Sequence, residues 1–232
     1  NAGTAVTSGS GSVTFDKTVP TQTVSGVDIS DDTGTSDSDF LTKTAAQTIS
    51  GTLSATLAAS DILNGSVNNG SDWTDITSKV SGTGITWNGA TLSGSSNILF
   101  KITDAAGNDS NTTGSQAYVL DTTAPTASLI YIGTVYASSG EIDPQNNQDA
   151  VVQSTETGTA YLVCTNNISV SNLASITNAN GNLWNSVTIS TASTNTVLDS
   201  AGLNDCATYK VYAVDAVGNF SGASSASVEV KN

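Results

Sequence analysis

The chain has no histidine. That removes the Ser-His-Asp kind of nucleophilic site and most zinc sites in one step. Cationic side chains are scarce too: Lys and Arg together number 6 against 20 Asp and Glu, a formal charge of −14 over 232 residues. Nucleic acid and anionic membranes are poor partners for such a surface, and divalent cations are good ones. No apolar run approaches the length of a membrane span, and no signal peptide is recognisable. There are two cysteines, Cys164 and Cys206, and no Cys-x-x-Cys pair, so the usual sequence form of a thiol metal or redox motif is absent. Charged residues make up only 11% of the chain, yet apolar residues make up 37% and fall in alternating runs, which reads as folded β-protein rather than disorder.

What is present is a repeat. Thr103-Asp104-Ala105-Ala106-Gly107-Asn108 is echoed by Asp215-Ala216-Val217-Gly218-Asn219, and Tyr118-Val119-Leu120-Asp121-Thr122-Thr123-Ala124-Pro125-Thr126 by Phe15-Asp16-Lys17-Thr18-Val19-Pro20-Thr21. The copies are spaced by roughly 105 to 111 residues, one small domain per period. In mechanical terms a strand ends in Asp, a tight turn follows at Gly-Asn, and a second strand returns. Each linker proline fixes φ and lacks an N–H, which suits a stiff joint or the start of an edge strand. The expected division is a tail of a preceding repeat or an N-terminal strand over 1–15, one domain over 16–120 and a second over 121–232. Residues 1–16 match the end of the hairpin motif, as expected of a piece of a longer array.

Along the chain, short strands are expected at Gln22–Ile29, Thr48–Leu53, Ile62–Val67, Trp73–Ile76, Ile85–Trp87 and Ile98–Thr103. In the second domain they are expected at Ala127–Ile132, Ala150–Ser154, Thr159–Cys164, Trp184–Ile189, Tyr209–Val214 and Ala226–Val230. Leu173–Leu183 has room for a helical turn. Asn69-Gly70 carries a type I′ turn signal. Trp73 and Trp87 read as core aromatics, with sugar stacking as the alternative. About seven short strands per domain fits two tandem immunoglobulin-like Greek-key β-sandwiches, an all-β fold.

That topology gathers acids from separate turns. Where the chain comes into each domain, the loop between its second and third strands and its last hairpin turn share one pole. The first domain places Asp16, Asp61 and Asp104 there; the second places Asp121, Glu156 and Asp215. Asp31, Asp32, Asp37 and Asp39 lie on the loop between first and second strands, at the opposite pole, where they are expected to face the second domain's beginning. Clustered carboxylates repel unless solvated or sharing a cation, and close oxygens on loops are the ligand type Ca²⁺ prefers. The alternative for the acidic loop is plain solvation. Antiparallel neighbour strands would also put Cys164 and Cys206 at one pole, in reach of a disulfide, with free thiols as the alternative. A bridge over about 42 residues contributes about 3–4 kcal/mol in the chain-entropy model and points to an oxidising, extracytoplasmic setting.

The chain resembles the tandem bacterial Ig-like repeats of giant surface adhesins. The resemblance rests on Asp121-Thr122-Thr123-Ala124-Pro125-Thr126, on Thr103–Asn108, and on Val152-Gln153-Ser154-Thr155-Glu156-Thr157-Gly158-Thr159-Ala160-Tyr161-Leu162-Val163. It implies a non-catalytic extender on a secreted or cell-surface protein, a monomer whose partners are neighbouring repeats and, through the full adhesin, a surface glycan or protein. It also implies inter-domain Ca²⁺ that stiffens the rod. Lys17-Thr18-Val19, the sparser acidic loop of the second domain and the cysteine pair depart from the family pattern. Two other readings stay open: a sugar- or protein-binding module of an adhesin, and an accessory pair on a secreted polysaccharide-degrading enzyme. Paired acids of a glycosidase are not suggested, because these acids sit in loops at domain ends.

Overall fold

The structure is a computed structural model that describes residues 15–34, 36–130, 141–142 and 149–231. The second domain's sparser acidic loop, residues 138–147, and the N-terminal match to the hairpin motif fall almost wholly outside these residues. The first half of the chain builds β1 (Val24–Ile29), β2 (Leu41–Thr42), β3 (Ala46–Leu53), β4 (Ile62–Ser66), β5 (Thr74–Asp75), β6 (Val80–Ser81), β7 (Gly84–Thr91), β8 (Ser96–Thr103) and β9 (Thr113–Leu120). The second half builds β10 (Ala127–Ile130), β11 (Glu141–Ile142), β12 (Ala150–Ser154), β13 (Gly158–Cys164), α1 (Leu173–Thr177), β14 (Trp184–Ile189), β15 (Thr196–Leu198), β16 (Cys206–Asp215) and β17 (Val228–Val230). The fold is all-β and sandwich-like, as its alternating runs lead one to expect.

Two compact units form. Of the described residues, the first takes those up to Ser30 and then Ala46–Ala117; the second takes those of Asp31–Ala45 and those from Tyr118 on. In the first unit β1, β3, β7 and β6 make one sheet, and β9, β8, β4 and β5 lie in order in the other. Inward positions alternate: on β8, Ile98, Phe100 and Ile102 have no exposure while the residues between them are partly open. Trp87 is buried and meets Phe100 edge to face at 6.4 Å. Gly65 leaves the space that ring needs, since a Cβ there would stand 2.5 Å from it. Asn69 and Gly70 both take positive φ, the backbone a type I′ turn requires. Strand β9 is not signalled by its sequence: Thr113–Ala117 has no large apolar side chain, and only Tyr118 of the strand is fully buried.

In the second unit β10, β12 and β15 face a sheet ordered β11-β17-β16-β13-β14. The core is aliphatic, with Val152, Ala160, Leu162, Ile189, Leu198, Tyr209 and Val211 all at zero exposure. Tyr209 donates its hydroxyl to the Asn204 carbonyl at 3.0 Å, and burial pushes that hydroxyl's pKa up to about 12. Cys164 and Cys206 are joined in a disulfide inside this core. The outer face of the β13–β16 ladder is covered by the segment carrying α1, whose Asn172 cap accepts from Ser175 N and whose Ile176 is fully buried. The short strand β2 pairs in parallel with the end of β9, Leu41 with Val119 and Thr42 with Leu120, all four residues belonging to this unit.

Candidate metal centre

Three turns of the second unit each deliver one carboxylate. Asp121 directly follows β9, the strand leading in. Its amide donates to Thr42 O at 2.9 Å and its Oδ1 accepts from Thr123 N at 2.9 Å. Glu156 rides the turn between β12 and β13, which is pinned by Thr126 N donating to Thr155 Oγ1 at 2.8 Å. Asp215 is the last residue of β16 and is 7% exposed. Its Oδ1 accepts from Val217 N at 3.0 Å and Asn219 N at 2.8 Å, which closes the hairpin turn as an Asx-type loop.

Gly158 brings two of these turns together. It pairs with Asp215 in the β13–β16 ladder at φ +146, and a Cβ there would lie 2.0 Å from the Val214 carbonyl oxygen. Only glycine allows that approach. Asn219 then fastens the third: its Nδ2 donates to Asp215 Oδ2 at 2.8 Å and to the Asp121 carbonyl at 3.0 Å.

One oxygen each from Asp121, Glu156 and Asp215 lies within 4.8 Å of the others. They line an open depression of about 340 Å³ with Thr155, Thr157, Ala192 and Val217. Burial pushes the Glu156 pKa above the usual carboxylate value, and the negative charges of Asp121 and Asp215 push the same way. Among the described residues no ion pair offsets them. The donor set is all oxygen, with no sulfur or imidazole, the kind of set that hard cations such as Ca²⁺ favour.

The first unit repeats the turn chemistry. Asp104 Oδ1 accepts from Ala106 N at 2.9 Å and Asn108 N at 2.8 Å, and Asn108 Nδ2 donates to Asp104 Oδ2 at 2.9 Å and to the Asp16 carbonyl at 3.1 Å. Those Asn108 bonds hold the Asp104 carboxyl below its ordinary pKa. Asp61 takes no part: its Oδ2 accepts from Ala58 N of its own loop at 3.3 Å. Asp16 is exposed, and its Oδ1 accepts from Thr18 N. On the acidic loop Asp32 Oδ2 accepts from Phe40 N at 2.8 Å and Asp39 Oδ1 from Leu41 N at 3.1 Å; Asp31 and Asp37 are exposed. Among the described residues, the second unit's triad is the one grouping of three carboxylates this tight. Sequence reasoning treated Asn108 and Asn219 only as turn residues. Their recurrence four residues after the hairpin aspartates Asp104 and Asp215 is the one signal the sequence holds.

No family model matches the chain, and no curated protein matches it. Among solved structures, a tetra-tandem repeat from the extending region of a large adhesion protein aligns with a TM-score of 0.29 and 16% identity over 89% of this chain. A Bacteroides ovatus surface protein of a mixed-linkage glucan utilization locus, solved with a mixed-linkage heptasaccharide, aligns with a TM-score of 0.26 and 14% identity over 83%. The alignments span 48% and 42% of those chains, so this chain covers about half the length of each. Likenesses this low leave the functional reading to the site itself.

Proposed function

We propose that this chain is a non-catalytic Ca²⁺-stiffened extender segment of a large bacterial surface adhesin, made of Ig-like repeats over 16–120 and 121–232. Asp121, Glu156 and Asp215 are the ligands of its principal cation site. The observation that carries the reading is the triad: three carboxylates from three separate turns within 4.8 Å, one of them held above its ordinary pKa by the other two and by burial. A divalent cation removes that repulsion and ties the incoming linker at Asp121 to the body of the unit. The disulfide fits an oxidising compartment outside the cytoplasm. Among the described residues no helix is long and apolar enough to cross a membrane. In the first unit Asn108 ties the Asp16 carbonyl to the Asp104 carboxylate in the same way, and the acidic loop residues Asp31, Asp32, Asp37 and Asp39 are weaker contributors.

Of the two tryptophans weighed for sugar stacking, Trp87 is buried in the core, and Trp73 is half-buried with the Lys101 ammonium 4.9 Å from its ring; Trp184, in the second unit, is half-buried against Tyr161 at 5.9 Å. Calcium titration calorimetry tests the ligand assignment. The parent chain is expected to bind with a Kd of about 10⁻⁴–10⁻³ M, the range of extracellular modules. Asp121→Ala and Asp215→Ala weaken that binding by tenfold or more, on the order of 1.4 kcal/mol. Asp75→Ala, whose carboxylate is engaged with Thr77, leaves it unchanged. Equal behaviour of the three variants would rule the assignment out.

A further inference from the structure

The Asp-Ala-x-Gly-Asn turn occurs twice with nearly the same hydrogen bonds, and the two copies differ in what lies over them. In the second unit, segment 31–45 sits on the turn. Thr33 Oγ1 donates to Val217 O at 2.9 Å, and Lys43 Nζ donates to Gly218 O at 2.6 Å. The segment also adds backbone bonds to the strand beside the turn: Val119 N donates to Phe40 O at 3.0 Å and Asp121 N to Thr42 O at 2.9 Å. It is braced internally, with Lys43 N donating to Thr33 Oγ1 at 2.9 Å and Thr42 Oγ1 to Asp31 O at 2.5 Å.

In the first unit nothing among the described residues lies over the same turn. Ala105, Ala106 and Gly107 are exposed, and among the described residues nothing lies within 4 Å of where a Gly107 Cβ would be. At Gly218, by contrast, Thr33 O and Lys43 Nζ stand 3.3 and 3.5 Å from that position. Phe15 occupies the place before the linker aspartate that Leu120 occupies in the second copy. Leu120 is part-buried beside β2; Phe15 is 83% exposed.

We propose that the Ala105–Asn108 turn and the adjoining Phe15–Asp16 backbone form a docking surface for a segment of the same chemistry as residues 31–45, carried by another copy of such a unit. The turn offers outward carbonyls, and the occupant supplies what they accept: a threonine hydroxyl and a lysine ammonium. Asp16 and Asp104 beside the turn favour the ammonium. Donor segment and acceptor turn are different parts of a unit, so the contact is head-to-tail and extends a file of units instead of closing a dimer. It needs no cation, so it stands or falls apart from the calcium reading.

The probe is a peptide of residues 29–49 carrying Ile29→Cys and Ile49→Cys, positions that are register partners in the β1–β3 ladder and so can be bridged to hold its ends as they are held in the chain. It is titrated into the isotope-labelled full chain and followed by amide chemical shifts. Saturable shifts are expected at Asp16 and Ala105–Asn108, at least tenfold weaker for a peptide that also carries Thr33→Val and Lys43→Met. A second chain bearing Thr33→Val and Lys43→Met has its own latch loosened, and there the unsubstituted peptide also shifts Ala216–Asn219. Docking at Ala216–Asn219 without docking at Ala105–Asn108 overturns the proposal. So does equal binding of the two peptides, or a peptide that moves neither turn.

Discussion

At the scale of single residues, Glu156 is the most informative side chain. Its ionised form is disfavoured in the folded chain by burial and by Asp121 and Asp215. Below its ordinary value of 4.5 the carboxyl is protonated folded or unfolded, and it costs nothing. As pH rises through 4.5 toward the raised folded value, the unfolded chain releases its proton first and the cation-free fold loses stability. Glu156→Gln is therefore expected to raise the melting temperature of the calcium-free chain at neutral pH and to leave it unchanged near pH 3. A bound cation favours the ionised carboxylate, so the parent binds calcium more weakly as pH falls through the Glu156 pKa. Thermal melts of both chains across pH, with chelator and with calcium, check both signs. Asp61 and Glu156 hold matching places in the repeat, and sequence reasoning treated them alike. The glutamate has an extra methylene of reach, whereas the aspartate folds back onto Ala58 N. That difference is set by side-chain length and loop shape, neither of which shows in the spacing.

Strands and turns were legible where apolar residues alternate. The runs at Ile98–Thr103, Ala150–Ser154 and Trp184–Ile189 announce β8, β12 and β14 nearly to the residue. Strand β9 escaped because its first five residues include no large apolar side chain, and β2 because two residues cannot show a period. The docking of segment 31–45 escaped for another reason: Thr33 and Val217 are 184 positions apart, and nothing local marks a threonine as a latch. Two substitutions test how elements hold the site. Gly158→Ala puts a methyl into the Val214 carbonyl and is expected to cost well over about 1 kcal/mol, with loss of calcium binding as the β13–β16 ladder loosens beside Asp215. Replacing both Cys164 and Cys206 by alanine opens a loop of 42 residues and is expected to cost about 3–4 kcal/mol by chemical denaturation. Because the bridge lies in the unit's core and not among the three turns, calcium affinity of the folded fraction should persist.

At the scale of the whole molecule, the chain carries a net charge of −14 and gathers three carboxylates in one depression that could hold a metal ion. Calcium at about 100 times its Kd adds roughly 2.7 kcal/mol to the state that binds it, which raises the melting temperature by roughly 5–10 °C for a chain of this size. Magnesium, which demands tighter octahedral geometry and holds its waters, should do less. Solution scattering curves with calcium and with chelator are expected to differ, the chelated chain being the looser. The most direct measurement is an anomalous difference map from crystals grown in calcium. A peak about 2.3–2.6 Å from oxygens of Asp121, Glu156 and Asp215 is the expected result. A well-ordered triad with no peak in saturating calcium would contradict the cation reading outright.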